Sequence, residues 1–398
     1  MVHREGPRST VARQVPVDGV GIFPRSGSVL TAMRRPRLRV SLCVERVSSE
    51  NEVIIIHSQD DPWALAAGDY PAEGTLEQRL TFLLGYAVLA PSGRNTQPWL
   101  FRVAEDKIFL YADRTRALPV IDPDDRELVM SCGAALFQLR LALRRFSFSE
   151  RIELLPDHDD ENLLACIQVT EGYDPSAEER RLFEAIPRRH INRMRFEDRD
   201  IPASLVDSLR EAARAEGCWL HTIDGEDARA AVADLIGAAD RIQGSDPDFR
   251  REHATFVHFN RSRAEDGMPG YVYGLGDVAS AFGPLLMRSF DWGEGQSAKD
   301  RELAEGSPVL ALLGSDADDL RSRLVAGQAL ARVLLHACAE DVSVSFLNQP
   351  IQRPALRQRL AEILDLEGFP QIILRMGYGP EARPTPRRPV RDVLRETD

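Results

Sequence analysis

The feature that most restricts how this chain can fold is a repeat. "GAALFQLRLAL" from Gly133 resembles "GQALARVLLHA" from Gly327, with Gly133/Gly327, Ala135/Ala329 and Leu136/Leu330 in register. Each helical pattern is followed by strand-like segments, then by "LLACIQVTEGYDP" in one case and "QIILRMGYGP" in the other. The second offset is slightly longer, which a loop insertion supplies. Two matches in the same order imply two related α+β halves fused in one chain, with a seam near Pro175. Fused halves can internalise what is otherwise a two-fold dimer interface. A monomer acting as an internal pseudo-dimer is therefore expected.

Local patterns give the elements. In "TLEQRLTFLLGYAVLA", Thr75 and Gln78 form a capping-box pattern. Leu76, Leu80, Leu83, Leu84, Ala87 and Val88 fall on one helical face, and Pro91 ends the helix. "PWLFRVAEDKIFLYAD" reads as a hairpin turning at "AEDK". "ELVMSCGAALFQLRLALRRF" reads as a second helix, and "RIELL" and "LLACIQV" as short strands.

Composition narrows the classes of partner. Of 398 residues, 43% are hydrophobic, enough for a large buried core. A net charge of −12 argues against a generic nucleic-acid or anionic-membrane binder. No window approaches the roughly 20 apolar residues of a membrane span, and no apolar leader is evident at the N-terminus. The five cysteines are scattered, with no C-x-x-C, which fits a reducing cytoplasm and offers no zinc framework. Between Met1 and Arg46 stand nine arginines against three acids. Residues 1–60 are expected to be a basic, weakly ordered extension, with the halves at 61–175 and 176–398.

The chemistry-bearing residues are mostly arginines. "IPRRHINRMRF" gathers Arg188, Arg189, Arg193 and Arg195 around His190 and Asn192. "GPEARPTPRRPV" adds Arg383, Arg387 and Arg388 on a proline-stiffened segment. Guanidinium groups suit phosphate because their planar donors bind it bidentately. An anion site and a pair of solvated loops are both compatible with these runs. "GLGDVA" from Gly274 fits a dinucleotide fingerprint in form only, since just a three-residue apolar stub precedes it and no β-α-β unit or well-placed acid follows. His253 and His258 in "EHATFVH" lack the spacing of a helical metal pair, so no metal is expected.

"APSGRNTQPW", residues 90–99, resembles the "APS-x-x-N-x-QPW" signature of the nitroreductase superfamily of FMN oxidoreductases. "RRHINR" resembles the family's arginine motif, and "GFPQIILRMGYGPEARPTPRRP" its closing strand and basic tail. The order of motifs and the fused repeat are most similar to the Acg-type subfamily. The resemblance implies two nitroreductase-like folds in tandem, each an antiparallel-dominated sheet flanked by helices.

It also implies one composite FMN site. The first half would give the loop Pro91, Ser92, Gly93 and Asn95. The second would give Arg189, Asn192, Arg193, Arg387 and Arg388, with Leu347 and Asn348 of "SFLNQ" near the reactive flavin edge. Gln97, Pro98 and Trp99 are expected to anchor the following strand. The flavin would carry the chemistry, with no catalytic side chain required. NADPH or NADH is the candidate donor, and a nitroaromatic or quinone the candidate acceptor. The flavin could equally dehydrogenate a substrate, and a flavin-storage protein with little turnover is the alternative function. Residues 264–306, rich in glycine and aromatics, are expected to form a lid.

Overall fold

The computed structural model describes residues 61–395. The basic extension expected over 1–60 lies outside the described residues.

Helix α1 (Leu76–Ala87) begins at the expected capping box: Thr75 Oγ1 accepts from Gln78 N, and Thr75 N donates back to Gln78 Oε1 at 2.9 Å. A hairpin follows, β1 (Trp99–Ala104) and β2 (Lys107–Ala112), paired from Trp99↔Ala112 to Ala104↔Lys107. The long helix α2 (Arg126–Arg145) leads to β3 (Phe148–Leu154) and β4 (Leu163–Glu171). Helix α3 (Ala177–Ala185) bridges to α4 (Ala203–Ala215) and β5 (Trp219–Thr222).

An excursion then holds α5 (Glu226–Ser245), α6 (Pro247–Thr255), the two-residue strands β6 (Val257–His258) and β7 (Met268–Pro269), α7 (Asp277–Ser289) and α8 (Gly293–Glu305). The chain returns through β8 (Val309–Ser315), α9 (Leu320–Ala339), β9 (Ser343–Phe346), α10 (Pro354–Ile363) and β10 (Phe369–Gly377). No helix among the described residues is long and apolar enough to cross a membrane.

The repeat becomes a topology. One four-stranded sheet runs β1-β2-β4-β3 and the other β5-β8-β10-β9, and every neighbouring pair in both is antiparallel. In each, a 20-residue helix joins the second strand to the third. The halves differ mainly where β1 meets β2 across Glu105 and Asp106. The second half inserts α5 through α8 at the equivalent point.

The glycines read as equivalent, Gly133 and Gly327, meet where α2 crosses α9. A Cβ on Gly133 would lie 2.1 Å from the Leu324 carbonyl oxygen, and one on Gly327 would lie 2.0 Å from that of Met130. Backbone thus touches backbone, which no residue with a side chain permits. The two cores interlock at this crossing. Leu324, Ala331 and Leu335 of α9 belong to the first core, and Met130 of α2 to the second. Each fully buried leucine contributes about 1.5–3 kcal/mol of apolar burial.

Both ends of the second half pair with edge strands, the C-terminal one across on the first sheet. Phe101 N donates to Val393 O at 2.7 Å and Arg395 N to Phe101 O at 2.7 Å, so the C-terminal tail extends the first sheet beside β1. Ile191 forms a parallel bridge with Val344 of β9. A 3₁₀ turn over Gly270–Tyr273 directly precedes "GLGDVA": Gly274 closes it in the left-handed region, and α7 starts at Asp277.

Candidate active site

A cavity of about 760 Å³ opens between the halves, within the range of small-molecule and cofactor sites. Its walls come from the 91–95 loop and the start of α2, from segment 189–194, and from the ends of β9 and β10. The 380–387 tail and the α5–α8 excursion complete them. Of the residues read from the sequence, Pro91, Ser92, Gly93, Asn95, Arg189, Asn192, Arg193, Leu347, Asn348 and Arg387 all line it.

Arg388 does not. Its guanidinium donates to Gln97 O at 3.1 Å and Asp392 O at 2.6 Å and lies 3.6 Å from Asp113. In an extended segment successive side chains point to opposite sides. With Arg387 turned inward, Arg388 faces the loop's far side.

The loop explains its own composition. Arg94, Asn95 and Gln97 have φ of +50°, +57° and +52°, the left-handed region that side chains other than glycine seldom adopt. Such backbone persists only where the surroundings over-determine it. Here Asn95 Nδ2 donates to Gly267 O and Pro386 O at 2.9 and 3.0 Å, and its Oδ1 accepts from Arg387 at 2.8 Å. Gln97, fully buried, donates to Glu265 O at 2.8 Å and accepts from Arg388 N at 2.8 Å. Asn95 and Gln97 therefore staple the first half to the excursion and the tail of the second. Ser92 Oγ accepts from Gln97 N at 3.0 Å, leaving its hydroxyl hydrogen to donate.

Asn192 and Asn348 are also structural pins. Asn192 Nδ2 donates to Pro380 O at 2.7 Å, and its Oδ1 accepts from Met194 N at 3.0 Å. Asn348 Oδ1 accepts from Ile373 N at 2.9 Å, while its Nδ2 donates to Glu127 at 3.2 Å.

The electrostatics are lopsided. Arg189, Arg375 and Arg387 are 3%, 1% and 5% exposed, yet among the described residues none forms an ion pair. Arg189 and Arg387 both donate to one carbonyl, that of Leu89, at 3.0 and 3.4 Å. Arg387 also stacks over Trp63 at 4.8 Å. Arg375 donates to Asn192 O and Met194 O at 3.2 and 3.0 Å and lies over Phe196 at 4.3 Å. The Nε atoms of all three, and Nη1 of Arg375, have no partner. Burial pushes Arg189 and Arg375 down to about 10, and it holds Arg387, beside Arg189, far below its ordinary value. Burial, then Arg189 and Arg387, lower His190 to about 4. Taking such cations out of water costs several kcal/mol each unless an anion faces them.

Several lining residues were not singled out from the sequence. Arg375 is a lone arginine in the apolar run "IILRM", a faint signal. Glu127 accepts from both Asn348 and Gln352, and Arg94 fills an unspecified position of the loop motif. Asp240 and Asp300 carry no local signal, because the excursion alone brings them here.

Sequence comparison decides the family. Over 319 residues the chain is 31% identical to "Putative NAD(P)H nitroreductase Rv3131" of Mycobacterium tuberculosis, spanning 78% of this chain and 90% of that protein. The chain belongs to the NAD(P)H nitroreductase family. Within this family of oxidoreductases it is 26% identical over 318 residues to "Putative NAD(P)H nitroreductase acg" of M. tuberculosis, covering 77% and 92% of the two chains. No family model matches the chain. Among solved structures, the FMN and NADPH-dependent nitroreductase NfnB from Sphigopyxis sp. strain HMH aligns at 17% identity. Its TM-score is 0.38, over 55% of this chain and 99% of that one.

Proposed function

We propose that the chain is an FMN-dependent oxidoreductase of the nitroreductase type. It would pass a hydride from NADPH or NADH to an electron-poor acceptor such as a nitroaromatic or a quinone. The observation that carries this reading is the set of buried arginines that form no ion pair among the described residues, facing a cavity walled by both halves. The unpartnered guanidinium nitrogens fit a phosphate, and the cavity volume fits a flavin mononucleotide. FMN, when bound, supplies hydride acceptance and donation.

The protein's residues hold and orient it. Arg189 and Arg387 neutralise the phosphate, with Arg193 and Arg375 adding positive potential. Gly93, where a Cβ would crowd Glu127, and the Ser92 hydroxyl would help hold the flavin's polar groups. Leu347 and Asn348 present the end of β9. Tyr271, Tyr273, Met287, Phe290 and Trp292 of the excursion line the cavity and exclude water from it.

The halves 61–175 and 176–398 serve as fused protomers, so a monomer carries one flavin. Two facts support a single site. Residues 61–75 before α1 contain no arginine, and α4 passes to β5 through Glu216, Gly217 and Cys218 with no counterpart of the 91–98 loop. A cytoplasmic setting follows from the nicotinamide donor.

The test is the visible spectrum of the purified protein, with FMN supplied, before and after anaerobic NADPH or NADH. A flavin band that bleaches is the expected result. A band that persists favours flavin storage or a flavin reduced by its own substrate. No band after incubation with FMN overturns the proposal.

A further inference from the structure

Helices α5 and α8 pack closer than side chains allow. A Cβ on Gly244 would lie 2.4 Å from Gly293 Cα, and one on Gly293 would lie 2.9 Å from the Asp240 carbonyl oxygen. This contact brings two carboxylates, Asp240 of α5 and Asp300 of α8, together in the cavity wall. They are 1% and 5% exposed, and neither forms an ion pair among the described residues.

Their surroundings are unequal. Asp300 accepts from Gln296 at 2.8 Å through one oxygen and from Gln349 at 2.6 Å through the other. Asp240 Oδ2 is fully enclosed and has no hydrogen-bond partner among the described residues. Two carboxylates sharing a desolvated site do not both ionise. Burial pushes both carboxyls up, but Gln296 and Gln349 on its two oxygens, with Lys299 and Arg375 nearby, favour the charge on Asp300, so the proton resides on Asp240.

We infer that Asp240 is the proton donor of this site, serving acceptors that take a hydride and a proton together. The inference rests on the proposed oxidoreductase function. With FMN bound and reduced, a quinone would take a hydride at one oxygen and the Asp240 proton at the other. Two O–H bonds form as the carbonyl π bonds give way to an aromatic ring, and the donor loses two electrons. Asp240, left as carboxylate, recovers a proton from solvent.

The groups around Asp240 agree with this role. Burial first, then Asp300, push its carboxyl up to about 8, against the opposing pull of Gln349, of Arg94 from the 91–95 loop and of neighbouring Arg241. Arg241 is occupied with Ser297 of α8 at 2.7 Å. Lys299 of α8 lines the same cavity. On the α10 side, Arg353 lies 3.5 Å from Asp246 at the far end of α5. From α6, His253 also lines the cavity, but burial, Arg94 and Arg193 keep it neutral, so it holds no imidazolium proton near pH 7.

Two measurements test the assignment. The first uses the protein without added flavin: carboxyl-¹³C NMR of aspartate-labelled chains, with Asp240→Asn identifying the resonance. Asp240 should titrate near pH 8, and Asp300→Asn should move that midpoint to lower pH. Titration in the ordinary carboxylate range, or indifference to Asp300→Asn, overturns the inference whether or not flavin binds. The second mixes the reduced, FMN-loaded protein with benzoquinone. Reoxidation should slow as pH rises through 8. Asp240→Asn should retain its flavin but reoxidise about 100-fold more slowly, the order general-acid catalysis supplies, without that pH dependence. An unchanged rate and profile overturn the inference while leaving the oxidoreductase reading intact. A wild-type protein that takes up no flavin overturns both.

Discussion

Arg189 and Arg387 share one carbonyl and pair with no carboxylate among the described residues, so burial penalises the charge on each. Arg189→Met should therefore raise the melting temperature of the flavin-free protein, since Leu89 O keeps Arg387 as its donor. The same substitution should weaken FMN binding by roughly 10- to 150-fold, the equivalent of about 1.5–3 kcal/mol for a charge-assisted contact. Calorimetry on both forms checks the two halves of this prediction. Arg388→Ala, by contrast, should leave FMN affinity within about threefold, because its side chain serves Gln97 and Asp113. His190, edge-on to Trp63 at 4.6 Å, is held at about 4 against an ordinary 6.5. Between those values the unfolded chain binds the extra proton, so stability falls as pH drops from 6.5 toward 4. Denaturant midpoints across that range should show the loss, and His190→Phe should flatten it. Arg189 and Arg387 were legible because arginines clustered beside proline in an acidic chain stand out. Arg388 was read with its neighbour because a linear motif does not show which of two adjacent side chains turns inward.

At the scale of elements, the crossing of α2 and α9 tolerates no added atom. Gly133→Ala would drive a methyl group into the Leu324 carbonyl, and that contact is backbone, which yields only if the helices separate. Urea unfolding should show a loss of about 3 kcal/mol or more, at the upper end of overpacking costs. Gly295→Ala on the exposed face of α8, where nothing lies within 4 Å, should instead stabilise by about 0.5–1 kcal/mol. α1, the β1–β2 hairpin and α2 were all readable from periodicity and turn residues, because each is made by contacts close in sequence. The excursion was read as a lid over 264–306. The insertion relative to the first half runs from the end of β5 at Thr222 to the start of β8 at Val309. Its first helix, α5, packs Val232, Ala233 and Ile236 into a core with Leu310 and Leu312 of β8. An amphipathic helix of that kind looks like ordinary core from sequence.

For the whole molecule, the tail is the component that closes the first sheet. Deleting residues 390–398 removes the bonds from Val393 and Arg395 to Phe101 and uncovers the β1 edge. An uncovered edge strand invites intermolecular pairing. The truncated chain should show a larger mass by light scattering than the intact chain, and its flavin occupancy should fall with it. In the intact chain, flavin absorbance against protein concentration should give one FMN per chain. The sequence alone determined the repeat, the α+β class, the family motifs and the arginine-rich ends, since these are statements about residue type, order and spacing. Only the tertiary structure decided that Gly133 and Gly327 touch, that Arg387 enters the cavity while Arg388 leaves it, and that Asp240 meets Asp300. Those outcomes depend on the approach of helices and strands far apart in the chain, and no local pattern encodes a distance between them.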